Sequence, residues 1–259
     1  IEEMQKNHRI IGGLDEKSAN LTKRLYARFV TAPIHITDCT TAESVKLIEN
    51  TFRDVNIALA NELAQRLSRV HINVWEAIRL ANYHPRVNLH KPGPGVGGHC
   101  IAVDPWFLVD DTTHLIRQAR LINDQMPFVV VDLIKELVED DSDKIIVLLG
   151  VSYKADVDDD RESPSYVIQR ILESESFKVR LYDPLVKKPQ VSSDLKTVLN
   201  GADCLVLLTD HELFTTIDPM KIENMRSKNL IDTRNQLDHK IWKQAGFKVN
   251  VLGAYSYFR

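Results

Sequence analysis

The chain has 259 residues, 44% of them hydrophobic and 27% charged. At ~100–200 residues per domain this is one large domain or two ordinary ones, with enough apolar content for a packed core, so disorder is excluded as the main state. Lys and Arg number 33 against 36 Asp and Glu, a net charge of −3; no bulk basic field points to nucleic acid or an anionic membrane, and an anionic ligand must be held by a few placed cations.

In chain order, Arg9 to Gly13 (RIIGG) reads as a short strand ending in a glycine pair. A helix is predicted from Asp15 to Val30 with Asp15 as its N-cap, and residues 33–37 alternate like a strand. Strand–helix–strand is a βαβ unit; alone it cannot bury both faces, and it looks like the end of a sheet whose beginning is missing. From Thr41 to Val70 there is no Gly or Pro, and Val45, Ile48, Phe52, Val55, Leu59, Leu63 and Leu67 keep a helical period. Thr40 and Thr41 are the candidate caps. A helix of this length spans roughly 40 Å, which suits a connection between domains or a dimer interface.

A shorter helix, Val74 to Asn82, stops before Pro85. Residues 92–98, PGPGVGG, are the one stretch dense in Gly and Pro, and they lead into His99 and Cys100. Trp106 to Val109, Leu115 to Asn123 and Pro127 to Leu137 then read as three helical pieces, with Pro127 near a first helical position. The polar run from Glu139 to Asp143 marks a boundary. Beyond it Ile145 to Leu149 is a continuous apolar run, as in a strand buried on both faces. Helix 165–172, strand 179–182 and apolar runs at 205–208, 230–231 and 249–252 follow. This alternation predicts a parallel sheet of Rossmann type. The expected fold is α/β in three parts: a Rossmann remnant over 1–38, an all-helical domain over 39–140 and a Rossmann-like domain over 141–259.

Cys39, Cys100 and Cys204 form no CxxC pair or even framework. That argues against a disulfide scaffold or structural zinc and suits a reducing, cytoplasmic compartment. No apolar run approaches ~18–20 residues, and no signal peptide opens the chain, so neither a membrane span nor secretion is expected.

The segment Gly93 to Gly98 formally fits G-x-G-x-x-G, but two prolines interrupt it and no acid lies about 20 residues on, so the dinucleotide reading is rejected. A tight loop whose backbone approaches a ligand fits better. Cys100 ends that loop and Asp104 follows four residues later. A nucleophilic cysteine needs exposure and a nearby base or cation, whereas Cys39 and Cys204 read as buried small hydrophobes. Lys46 and Asn50 share a helix face, although alone they read as a solvated lysine and a surface amide. Lys154 and Arg161 suit phosphate. Asp158, Asp159 and Asp160 lack a calcium-loop spacing and read as helix N-terminal charges rather than a metal site.

Four stretches together resemble the UDP-glucose/GDP-mannose dehydrogenases: AESVKLIENTF (42–52), GPGVGGHCIAVDPWFL (93–108), GVSYKADVDDDRESPS (150–165) and IDTRNQLD (231–238). These are NAD-dependent enzymes that oxidise the C6 alcohol of a nucleotide sugar to a carboxylate in two steps. The second stretch is most like the branch that oxidises UDP-N-acetyl-D-mannosamine; UDP-glucose and UDP-N-acetylglucosamine are alternative substrates. The resemblance implies Cys100 as nucleophile, Asp104 as its water-activating partner, and Lys46 and Asn50 as the pair that stabilises oxygen anions. It implies a backbone cradle for the sugar nucleotide over Lys91 to Gly97, including Gly93, Gly95 and Val96. Tyr153, Lys154 and Arg234 become UDP-sugar contacts, and Arg86 an arginine offered to the neighbouring subunit's site. Arg161 reaches NAD. A homodimer through the long helix is implied, with no metal. The family's glycine-rich NAD turn and acid–base glutamate have no counterpart upstream of Ile1. The chain is therefore expected to be the later part of such an enzyme, cut by cloning or proteolysis, binding UDP-sugar but inactive alone. The other reading is a naturally short, non-catalytic nucleotide-sugar-binding or dimerisation module.

Overall fold

The computed structural model describes residues 2–139 and 143–254. The chain divides into two compact units, Ile1–Phe52 and Arg53–Arg259. In the first, helix α1 (Glu2–Lys6) precedes strand β1 (Arg9–Gly13), helix α2 (Glu16–Tyr26) and strand β2 (Ile34–Asp38). The two strands pair in parallel, with Ile11 opposite Ile36. Asp15 caps α2 as expected, accepting from the Ser18 amide at 2.6 Å while its own amide donates to Ser18 Oγ at 3.2 Å. Only Ile11, Ala19 and Val30 are buried apolar residues among those described in this unit, and Leu14, Leu21 and Leu25 lie exposed. Two strands and one long helix give little apolar surface a place to hide.

Helix α3 (Cys39–Ser68) starts two residues before the expected Thr41. Its cap is Asp38 rather than Thr40 or Thr41. The Asp38 carboxylate accepts from the Thr41 amide at 2.8 Å and the Thr41 hydroxyl at 2.7 Å, because a short acceptor one residue before the helix reaches the third helical amide. Its buried positions are small or polar, including Asn50, Asp54, Ala58, Asn61 and Ala64. The apolar positions Ile48 and Phe52 are 58% and 59% exposed, whereas Leu63 and Leu67 are partly buried against Val74 and Ile78, so the predicted stripe is covered only toward its carboxyl end.

In the second unit α3 leads to α4 (Val74–Ala81), capped by Asn73, and to a 3₁₀ turn over Asp104–Leu108. Helix α5 (His114–Val138) is one continuous helix with Pro127 inside it, where the sequence suggested two pieces with Pro127 opening the second. A mid-helix proline costs about 3 kcal/mol. Packing overrides it: Met126, Val130, Val131 and Ile134 on either side of the ring are buried.

The parallel sheet contains β3 (Ile145–Leu149), β4 (Lys178–Tyr182), β5 (Val191–Ser192), β6 (Cys204–Leu207), β7 (Asn229–Asp232) and β8 (Lys248–Val251). Its spatial order is β5-β4-β3-β6-β7-β8. Ile146 and Leu148 pack with Val130 and Ile134 of α5 and with Ile168 and Leu172 of α6 (Pro164–Ser174). Val147 and Leu149 face the opposite core, with Val198 of α7 (Leu195–Leu199) and Trp242 of α8 (His239–Gln244). Both faces of β3 are therefore covered, as its unbroken apolar run requires. The chain winds outward both ways from β3 and β6, which creates a switch point between their carboxyl ends, where open α/β sheets bind ligands. Ser163 caps α6. Asp158–Asp160 thus lie outside the helix instead of charging its first turn; Asp160 instead meets Tyr166 and Lys188.

Candidate active site

The Gly/Pro loop sits against the carboxyl end of this sheet, within the second unit. Gly93 lies against the Arg234 guanidinium: a Cβ there would stand 2.3 Å from Nη1. Gly98 has φ +80°, and any Cβ would touch the Tyr153 ring at 3.0 Å, so glycine is required on both backbone and packing grounds. The loop is pinned at its two ends. The Gly93 amide donates to Asn61 Oδ1 at 2.8 Å, and the Gly98 amide to the Arg161 carbonyl at 3.0 Å. Between them, the amides of Gly95, Val96 and Gly97 have no hydrogen-bond partner among the described residues. Three such amides on a pinned loop form a cradle that suits anionic oxygens.

Cys100 ends the loop as a free, partly exposed thiol. One turn on, the Asp104 amide donates to the Cys100 carbonyl at 2.8 Å, and Asp104 opens the 3₁₀ turn. Arg161 is close enough for Cys100 to add to the electrostatic attraction on its guanidinium, after the larger contribution of Asp159. Arg161 Nε donates to Asp159 at 2.9 Å, which holds that carboxyl at about 2. Cys204 is the contrast: burial in β6 pushes its thiol well up.

The loop after β3 brings Tyr153 beneath Gly98, with its amide bonded to the Asp159 carbonyl at 3.0 Å, and leaves Lys154 exposed. Arg234 follows β7 on a turn organised by Asp232, which accepts from the amides of Arg234, Gln236 and Leu237. Arg234 Nη2 donates to Asp210 at 3.3 Å, and its Nε is buried with no hydrogen-bond partner among the described residues. Arg86, after α4, and Lys91, ahead of the pinned segment, are both exposed. In the first unit, Lys46 Nζ lies 3.4 Å from Asn50 Oδ1 on one face of α3, with Asn50 buried and Lys46 exposed. The described residues contain no cluster of three or more metal-ligating side chains.

Sequence reading missed the buried chain beneath the loop. Asn61, which takes the Gly93 amide, donates to Asn123 Oδ1 at 2.9 Å; Asn123 in turn donates to Asp54 Oδ1 at 2.8 Å. Asp54 pairs with Arg120, which also reaches Asp124. Asp54, Asn61, Arg120 and Asn123 are all essentially inaccessible. Burial pushes the Asp54 carboxyl up while Arg120 and Asn123 oppose it. The available signal was Asp54 and Asn61, two poor helix formers seven residues apart on one face of a long helix.

The central-domain pattern of the UDP-glucose/GDP-mannose dehydrogenase family matches residues 40–126, and that family's UDP-binding-domain pattern matches residues 147–239. The chain belongs to this family. It is 48% identical to the UDP-N-acetyl-D-mannosamine dehydrogenase of Methanocaldococcus jannaschii, over 98% of this chain and 61% of the relative. Among solved structures, the UDP-D-ManNAc dehydrogenase of Pyrococcus horikoshii superposes with a TM-score of 0.89 at 45% identity, over 97% of this chain and 61% of the other. The UDP-N-acetyl-mannosamine dehydrogenase of Staphylococcus aureus gives 0.85 at 40% identity, over 97% and 60%. The chain thus spans about three-fifths of the length of the proteins it matches.

Proposed function

We propose that this chain is the nucleophile- and UDP-sugar-bearing part of an NAD-dependent nucleotide-sugar 6-dehydrogenase that converts UDP-N-acetyl-D-mannosamine to the uronate. The observation that carries the reading is the cysteine loop lying on Tyr153 and Arg234, with three unpartnered amides between its pinned ends. The named relatives favour the N-acetylmannosamine substrate. In this reading Lys154, Arg234 and the loop hold the UDP-sugar, and Arg86 serves a neighbouring subunit. The Cys100 sulfur adds to the C6 aldehyde carbonyl, and Lys46 and Asn50 steady the oxyanion. From a thioester, whose formation would need a hydride acceptor that these residues do not hold, Asp104 takes a proton from water as it attacks, and the thiolate leaves. The sulfur adduct matters because it carries a C6 hydrogen that can be removed as hydride.

The described residues do not fit the dinucleotide. The Gly12–Gly13 pair is packed against Cys39, Ala42 and Ala19 so closely that a Cβ on either would stand 2.8 Å or less from a neighbouring atom, and Arg161 is paired with Asp159. No step is therefore assigned here to NAD, which supplies the hydride acceptor in this family. The proposed domains are 1–38, 39–140 and 141–259, and the proposed assembly is a homodimer along α3. Among the described residues no helix is long and apolar enough to cross a membrane. Three free thiols suit the cytoplasm.

The test is calorimetric titration of UDP into the 259-residue chain. Binding is expected, with Lys154→Ala weakening it about tenfold through loss of a charge-assisted contact. The same preparation, given the UDP-sugar and NAD, is expected to form no NADH. Absence of any UDP heat, or equal affinity in the variant, would count against the site.

A further inference from the structure

A second polar cluster lies below the switch point, built on His211. The imidazole is fully buried. Its Nδ1 accepts the Asp156 amide at 2.9 Å; its Nε2 lies 3.0 Å from Ser152 Oγ and 3.1 Å from Asp183 Oδ2. Ser, His and Asp at these distances invite a hydrolytic reading, but the connectivity excludes it. In a nucleophilic triad serine and aspartate bind opposite ring nitrogens. Here both share Nε2, and Nδ1 is taken by a main-chain amide. The Ser152 hydroxyl hydrogen is directed to the Lys154 carbonyl at 2.9 Å, and Ser152 is only 2% exposed.

The same connectivity assigns the tautomer. Nδ1 accepts an N–H and so carries no hydrogen; Ser152 Oγ has already donated its own, so Nε2 is the donor. The imidazole is neutral, because a proton on Nδ1 would face the Asp156 N–H. Around it half of the main-chain N–H and C=O groups of residues 151–156 are hydrogen-bonded, including the Tyr153 amide to the Asp159 carbonyl. Asp183 Oδ2 takes the Val151 and Ser152 amides at 2.8 and 3.1 Å. Thr209 Oγ1 donates to the Ser152 carbonyl at 2.7 Å. The Glu212 amide closes the far end on Asp156 Oδ1 at 3.0 Å. What this leaves to project outward is the Tyr153 ring and the exposed Lys154 ammonium.

We propose that His211 is a positioning residue for the sugar-nucleotide site: a neutral, Nε2-protonated clamp that joins the loops following β3, β4 and β6 and sets where Tyr153 and Lys154 meet the ligand. This rests on the UDP-site reading above. A flexible lysine binds weakly when its loop must be ordered by the ligand, since the ordering cost is then subtracted from the affinity.

The test uses the whole chain, with UDP as probe. His211→Ala removes both ring contacts. His211→Asn keeps an acceptor where Nδ1 stands and loses only the Nε2 donor. In variants shown to be folded by circular dichroism at the titration temperature, His211→Ala is expected to weaken UDP by about tenfold and His211→Asn to recover most of that loss. Hydrogen exchange at the Asp156 amide is read in parallel, fast in the alanine variant and slow again in the asparagine one. UDP affinity within twofold of wild type in folded His211→Ala overturns the proposal, as does an Asp156 amide that stays protected. Should His211→Ala not fold, the Asp156 amide in His211→Asn decides: protection supports the clamp and rapid exchange rejects it. A wild-type chain that binds no UDP overturns the functional reading instead, and the Asp156 exchange still tells whether His211 holds the loop.

Discussion

Cys100 and Cys204 are the same side chain in opposite environments. Cys204 starts a central strand, is fully buried and is kept a thiol by desolvation. Cys100 ends a pinned loop, partly exposed, with Arg161 in electrostatic reach. Only the second setting lets sulfur meet a substrate. In the longer enzyme Cys100→Ser is expected to spare UDP-sugar binding and to abolish uronate production, because a serine alkoxide is scarce near neutral pH and an ester leaves less readily than a thioester. Quantifying uronate over many turnovers checks this; near-normal output from the variant would rule out the covalent route. Residue types at fixed spacing made the loop, Cys100, Asp104, Lys154 and Arg234 legible in the sequence. The chain from Asn61 through Asn123 to Asp54 and Arg120 was not. Its members lie 62 and 69 positions apart in sequence, and nothing local ties them together before the helices pack.

Among the elements, local chemistry decided some boundaries and packing decided others. The capping box at Asp15 and the apolar run of β3 could be read directly, because neighbours within a turn or a strand determine them. Helix α5 could not: a proline reads as a break, and only the buried residues flanking Pro127 show why the helix continues. The carboxyl end of β4 carries a pH-dependent element. Burial alone would raise Asp183, but the His211 imidazole and the amides of Leu185, Val151 and Val186 outweigh it and hold the carboxyl at about 2. A carboxyl depressed in the folded state stabilises the fold fully above its ordinary value near 3.8 and loses that contribution as pH falls toward 2. The shift corresponds to about 2 kcal/mol. Asp183→Asn is expected to cost about that much at pH 7, and to flatten the decline in stability between pH 4 and 2. Urea titrations across that range measure it, and an unchanged acid limb in the variant would show that other carboxylates set it.

For the whole molecule, the exposed apolar residues of α3 weigh most. Ile48 and Phe52 are each more than half exposed and Leu59 is 43% exposed, at positions that recur on one helix face. Burying such side chains contributes about 1.5–3 kcal/mol apiece, and a two-fold partner presents the same stripe in return. A dimer is expected in sedimentation at micromolar concentration, and Phe52→Glu is expected to yield monomers. A wild-type monomer under those conditions would remove α3 as the interface.

A segment reading PGPGVGG resembles a flexible linker, the place where a protease would be expected to cut. Cleavage requires a stretch of chain to leave the surface and enter a protease groove in extended form. Here Pro92, Gly93, Pro94 and Gly98 are buried, and the two end amides are tied to Asn61 and to the Arg161 carbonyl. Freeing the loop means breaking into the interior on which it rests. The most linker-like sequence in the chain should therefore be among the last parts of the folded protein to be nicked.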